Sequence, residues 1–172
     1  MNKFLLTLIF ISFSSLADTE VNQELFQLYK ADQNDRSNGD FTWYRDEQRL
    51  EKVSELVSSG QLKVADDFYH AAIIFQHGRI SENYKKAHEL ALRAVELNPS
   101  FKKAKWLACA AEDRYLHSLG KPQIWGTQFN GVGCITMEPF DRTVKNDLER
   151  IANGVPTIVQ LEIYLDKTNK CN

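Results

Sequence analysis

Charged, amide and aromatic side chains recur in this chain in arrangements that could bind a ligand or transfer a proton. His77 could act as a general acid or base if Asp113 or Asp32 orients its imidazole ring. Arg36 or Arg114 would then hold an anionic group beside it. The catalytic candidates are therefore His77 and Asp113. The expected ligand-binding residues are Asp32, Arg36, Arg114, Gln123, Trp125, Thr127 and Gln128.

Spacing along the predicted helices leaves a plainer interpretation open for each charged candidate. Asp32 and Arg36 are four residues apart, so they share a helix face and could form only a solvated ion pair. Asp113 and Arg114 are adjacent and point about 100° apart, so one of them could brace the bundle through a buried salt bridge. His77 lies in a last helical turn, where a hydrogen bond or the helix dipole could explain it.

Residues 121–129 form the most distinctive polar segment, because amides and a hydroxyl alternate there with large apolar side chains after a helix end. Small-ligand pockets commonly combine aromatic rings with a few aimed polar groups. This predicts a recognition surface in which Trp125 is the apolar platform. The alternative is a rigid connector whose polar side chains satisfy backbone groups that irregular chain leaves unpaired.

No established catalytic, metal or cofactor motif accompanies these groups. His88-Glu89 begins like a zinc-binding helix, but Leu92 stands where that motif requires its second histidine. We therefore expect no metal and no cofactor. The first functional hypothesis is a module that binds an unknown small ligand or protein partner. The alternatives are an enzyme with hydrolase-like acid–base chemistry centred on His77, and a polar network that is wholly structural.

Hydrophobic periodicity predicts a mainly all-α fold, a helical-hairpin bundle that would position these groups. Asn130-Gly131 favours a tight turn, so a small irregular or β-hairpin insertion is expected after the fifth helix. Pro156 favours a last helix through Leu165, with a strand as the minority alternative. The other helices are expected over about 19–36, from Thr42 to Gly60, over about 66–77, from Ser81 to Asn98, from Ser100 to Gly120, and from Asp141 to about Asn153.

The beginning of the chain has the pattern of a secretory signal peptide. Lys3 precedes an apolar run of about ten residues, and Ala17 follows it at a position suited to cleavage. Removal of residues 1–17 leaves one α-helical domain, residues 18–172, and changes the formal charge from −2 to −3. We expect an exported protein, periplasmic or secreted, without a membrane segment after cleavage. A mildly acidic chain offers no electrostatic basis for binding nucleic acid.

Three cysteines remain after cleavage, which an oxidising compartment would allow to form one disulfide. Cys109 lies among alanines on a predicted helix and is expected to be a buried, small apolar residue. The expected disulfide therefore joins Cys134 to Cys171.

Several fragments of the chain carry a resemblance to a known family. They are Asp32-Gln33-x-x-Arg36, Gln76-His77, and Asp113-Arg114 followed by Gly120-Lys121-Pro122-Gln123-x-Trp125-Gly126-Thr127-Gln128-Phe129. Together they resemble a bacterial family of uncharacterised domains, and residues 149–150 and 154–156 are similar to the ending of that family. Because the family has no established activity, the resemblance implies the place of a site and not its chemistry. Residues 131–137 depart from the pattern.

A second resemblance concerns helices three to five, which are similar to tetratricopeptide or Sel1-like helical hairpins. The match covers about one and a half repeats, fewer than the three that a solenoid needs, so we expect a local bundle. The residues that carry it are Ala71, Ala72, Phe75, Gly78, Ala87, Leu90, Ala91, Ala94 and Asn98-Pro99.

Overall fold

The computed structural model describes residues 20–169, and it has the all-α fold that the periodicity predicts. The predicted signal peptide, residues 1–17, lies outside these described residues. Within them, no helix is long and apolar enough to cross a membrane. The described helices are α1 (Gln23–Ser37), α2 (Trp43–Ser58), α3 (Ala65–Gln76), α4 (Ser81–Leu97), α5 (Lys102–Ser118), α6 (Asp147–Ala152) and α7 (Ile158–Thr168).

Helix α3 is the centre of the bundle, since it packs against α1, α2, α4 and α5. Small side chains make this packing close, because alanine lets helix backbones approach one another. Leu25 of α1 and Val53 of α2 complete the core, and neither has any exposed surface. The buried alanines at the contacts are Ala71, Ala72, Ala87, Ala91, Ala108 and Ala111.

In three helices the residue at the N-cap position differs from the one that the sequence suggested. The residues at the N-cap positions are Ile80, Phe101 and Asn146, where the sequence suggested Ser81, Ser100 and Asp141. The largest correction is at Asp141, whose backbone N–H donates to the Gln123 carbonyl oxygen (2.9 Å) and so belongs to the preceding irregular segment. Helix α6 begins only at Asp147. Thr157 caps α7, which confirms the helix and not the strand at this end of the chain.

The chain between α5 and α6 is irregular, and its β-pairing consists of isolated bridges. Asn130 and Thr136 exchange two backbone hydrogen bonds of 2.8 Å, so the predicted hairpin is present as one bridged pair. Gly131 makes the turn at φ +103°, and a Cβ atom there would collide with the Cys134 carbonyl oxygen. Gln123 and Phe140 form the second bridge, which returns the chain toward α5.

Candidate functional site

A cleft of about 420 Å³ lies between the C-terminal ends of α1 and α3 and the side of α5, and we call it the arginine cleft. Two arginines and a histidine that the sequence singled out face it together. Its charged and polar lining consists of Arg36, Asp46, Gln76, His77 and Arg114. Helices that are far apart in sequence therefore do bring Arg36, His77 and Arg114 to one place.

Asp32 lies beneath this cleft and orients His77. The Nδ1 atom of His77 lies 2.9 Å from the Asp32 carboxylate, and the amide of Gln33 donates to the other carboxylate oxygen at 2.8 Å. Asp32 is only 1% exposed. Burial raises its pKa, but the hydrogen bond and charge of His77, the amide of Gln33 and the charge of Arg36 together hold that pKa below its usual value. The pair has the geometry of a carboxylate that fixes an imidazole.

Arg36 is held at the rim of the cleft by residues of α2. Its guanidinium donates to Asp46 at 2.7 Å and lies 3.7 Å from Asp32. Arg49 reaches the same two aspartates at 3.2 and 3.9 Å. Sequence reasoning missed Asp46 and Arg49, although their spacing of three residues on one helix face was a signal that they act together. The positive charge of Arg36 is therefore largely balanced.

Arg114 differs from Arg36, because no described carboxylate lies within ion-pairing distance of it. Its Nε donates to the Gln128 side-chain oxygen (3.2 Å) and its Nη1 donates to the Gln76 carbonyl oxygen (2.8 Å). Burial lowers the pKa of this guanidinium, the neighbouring Tyr84 raises it, and the charge of Arg36 lowers it. Arginine nevertheless stays protonated in proteins. The cleft thus contains a half-buried cation whose charge no acidic neighbour in the described chain compensates.

Asp113 is not part of the cleft, which corrects its expected pairing with His77. It has no exposed surface, and both of its carboxylate oxygens accept hydrogen bonds from the segment after α5. Ile124 N–H and Trp125 N–H donate to one oxygen at 2.8 Å each; Thr127 donates to the other through its N–H (2.9 Å) and its hydroxyl (2.7 Å). Burial raises the pKa of Asp113, and these hydrogen bonds oppose the rise. The residue anchors the segment.

Gln123 and Trp125 also face inward, so the recognition surface expected of them is not there. Gln123 has no exposed surface; its amide group donates to the Gln128 and Met137 carbonyl oxygens and accepts from Gln128 N–H. Trp125 is 5% exposed, packs on Cys109, and donates its indole N–H to Glu112 at 2.7 Å. The Gln123 amide hydrogen-bonds backbone groups of the irregular segment, and Trp125 packs against the core. This is the arrangement that the rigid-connector alternative predicts.

Thr127 and Gln128 do not line the arginine cleft themselves. Gln128 positions Arg114 and in turn donates to the Ala110 carbonyl oxygen at 3.2 Å. Thr127 is bound to Asp113 through its hydroxyl group, while it lines a second groove on the outer side of α5. The segment after α5 therefore serves the cleft by fixing one arginine.

Arg150 is a structural cation that sequence reasoning missed. Its side chain has no exposed surface and donates to the Trp125 and Pro156 carbonyl oxygens at 2.8 Å each. Its nearest described carboxylate, on Asp147, is 4.0 Å away. The only signal in the sequence was that residues 149–150 belong to the family-like ending. Arg150 and Asp113 together hold the same stretch of backbone from two sides.

Among the described residues, one cysteine is a free thiol and one is disulfide-bonded, as the sequence suggested. Cys109 is a free, buried thiol, and burial raises its pKa to about 12, so the reactive thiolate does not form at neutral pH. Cys134 is disulfide-bonded. Its expected partner, Cys171, lies outside the described residues, so that pairing stays a prediction.

Comparisons with protein-family models, with curated proteins and with solved structures gave no match for this chain. The resemblances to an uncharacterised bacterial family and to tetratricopeptide-like hairpins therefore stay predictions. Function has to be inferred from the geometry of the arginine cleft.

Proposed function

We propose that this protein is a ligand-binding module whose arginine cleft takes a small anion. The observation that supports this is the state of Arg114, a half-buried guanidinium in a concave site without an acidic partner among the described residues. A charge removed from water is costly unless an opposite charge compensates it. A bound anion would supply that charge, and the planar guanidinium can bind a carboxylate or phosphate through paired hydrogen bonds.

The surroundings of Arg114 are suited to reversible binding of a ligand. Gln128 and the Gln76 carbonyl oxygen fix the direction of the guanidinium without neutralising it. His77 and Arg36 face the same space and add polar side chains to it. Because the side chains are held before the anion arrives, little conformational entropy is lost on binding. A small ligand fits this arrangement better than a protein partner, since the polar groups converge in a concave cleft.

Replacing Arg114 by glutamine tests this proposal. We expect the purified protein to bind acetate, butanoate or inorganic phosphate at low ionic strength, and R114Q to bind about tenfold to hundredfold more weakly, as for a lost charge-assisted hydrogen bond. Isothermal titration calorimetry measures both affinities. The matched control is R93Q, which removes an arginine that is 53% exposed on α4, forms its ion pair with Glu96 and lies outside the arginine cleft. Equal affinity of wild type and R114Q, or no binding of any of the three anions, contradicts the proposal.

Enzymatic activity is a second candidate function, favoured by the contact between Asp32 and His77. An imidazole fixed by a carboxylate beside two guanidiniums could exchange protons with a bound anionic substrate. Any hydrolysis of 4-nitrophenyl butyrate or 4-nitrophenyl phosphate by the wild type should then slow by about a hundredfold or more in His77→Gln. Asp32→Asn should slow it less. Identical rates for wild type and His77→Gln would exclude this chemistry for these substrates and leave the binding proposal intact.

A further inference from the structure

A second concave surface lies on the other side of Trp106, and we call it the aromatic groove. Its volume is about 560 Å³, larger than that of the arginine cleft. Three aromatic rings line it and are about half exposed: Trp106 at 44%, Phe129 at 42% and Tyr164 at 50%. Leu161 of α7 lies among them, and no charged side chain of the described chain belongs to the lining. This surface can bury apolar atoms and offers no opposite charge to an ionic group.

Two separate parts of the chain connect the aromatic groove with the arginine cleft. Trp106 of α5 lines both of them. Thr127 and Phe129 line the groove, while Gln128 between them hydrogen-bonds Arg114 of the cleft. A molecule lying across Trp106 would therefore place one end against the arginines and the other against the aromatic rings.

We propose that the ligand of this protein is a small amphipathic carboxylic acid, with its carboxylate in the arginine cleft and its apolar tail in the aromatic groove. This inference rests on the proposed function, and it adds the chemical class of the ligand. It commits to a free small acid, because both surfaces are concave and adjoin across a single side chain.

The charges of the cleft select the head group. The charged residues that line it are two cations, Arg36 and Arg114, and one anion, Asp46, which leaves one positive charge apart from His77. A carboxylate carries one negative charge and balances it. A phosphate monoester carries nearly two at neutral pH, and the Asp46 carboxylate would repel the excess. The carboxylate is also planar, as the guanidinium fork requires for paired hydrogen bonds.

The lining of the groove selects the tail. Phe129 and Tyr164 meet edge to face with ring centroids 5.8 Å apart, and Trp106 lines the same groove. Rings held in this way keep apolar area exposed that a hydrocarbon chain would cover. Among the described residues, the polar side chains in the groove, apart from the tyrosine hydroxyl and the indole N–H, belong to Thr127 and Gln160. Affinity should therefore grow with the apolar area of the tail.

A series of straight-chain acids tests the inference. We expect octanoate to bind at least about tenfold more tightly than butanoate, since each added methylene that is fully buried contributes up to about fourfold. Octanamide lacks the charge, and its affinity should be at least about tenfold lower than that of octanoate. Calorimetry on the purified protein below the critical micelle concentration of octanoate gives these affinities.

Two variants separate the roles of the head and the tail. Trp106→Ala should weaken octanoate binding by a larger factor than butanoate binding, and so remove most of the gain from butanoate to octanoate, because only the longer tail reaches the aromatic groove. R114Q should weaken both acids by the same factor. The matched control for the lost ring is Tyr44→Ala, since Tyr44 is 51% exposed on α2 and lines neither surface. It should change neither affinity.

Several outcomes would overturn this inference and leave the proposed function standing. They are an octanoate affinity no greater than that of butanoate, a Trp106→Ala variant that weakens both acids equally, and methyl phosphate binding more tightly than acetate. A leucine-terminated peptide that bound tenfold more tightly than octanoate would replace the free acid by a chain terminus. If no acid and no phosphate binds, the proposed function fails together with the inference.

Discussion

Replacing Asp113 by alanine is expected to lower the free energy of unfolding by about 3–5 kcal/mol. The carboxylate accepts four hydrogen bonds from Ile124, Trp125 and Thr127, and three of the donors are backbone N–H groups. Each buried donor left without an acceptor costs about 1–3 kcal/mol, partly offset because a buried carboxylate is also removed. Urea unfolding followed by far-ultraviolet circular dichroism measures the change.

The comparison variants for Asp113 make this prediction specific. Asp113→Asn keeps one acceptor oxygen and should lose about half as much stability as the alanine variant. Asp166→Ala removes an exposed carboxylate on α7 and should stay within about 0.5 kcal/mol of the wild type. An Asp113→Ala protein as stable as Asp166→Ala would show that the segment does not depend on this anchor.

Replacing Arg150 by alanine should be about as destabilising, at roughly 3–5 kcal/mol, for a different physical reason. The change empties a fully buried volume and leaves the Trp125 and Pro156 carbonyl oxygens without their donor. Arg150→Met fills most of that volume and removes a buried charge whose nearest described carboxylate, on Asp147, lies 4.0 Å away. It should therefore recover about 1–2 kcal/mol of the loss.

The same urea titrations give the measurement for Arg150, with Arg93→Ala, at an exposed position of α4, as the matched control. The control should change the free energy of unfolding by less than about 0.5 kcal/mol. If Arg150→Met proved less stable than Arg150→Ala, the two carbonyl hydrogen bonds and the buried volume would not account for the role of the arginine.

Local pattern was sufficient to predict the helical bundle. The alanine and leucine spacing around Ala91 and Leu107 indicated the buried faces of α4 and α5, which the structure shows. The start of α6 could not be found in this way, because Asp141 is a good helix cap in isolation. Its N–H instead pairs with the Gln123 carbonyl oxygen, a partner eighteen positions away that no local rule identifies.

The sequence identified three of the basic side chains of the candidate site, but it did not identify the role of the amides. Arg36, His77 and Arg114 come from separate helices and do meet in one cleft. Gln123 and Trp125 were expected to face a ligand and are buried. The reason is chemical: an amide that would bind a ligand and an amide that satisfies a buried carbonyl group are the same residue type. Only the path of the chain decides between them.

The contact between Cys109 and Trp125 makes the thiol a reporter of how often the segment after α5 detaches from that helix. The thiol lies in a buried cluster with Trp125 and Val155, and burial raises its pKa to about 12, so we expect it to react with an alkylating agent only after these side chains move away. Its rate of alkylation therefore reports how often the chain after α5 detaches from the helix beneath it. That frequency, and not the average structure, sets the lifetime of any surface that this part of the chain builds.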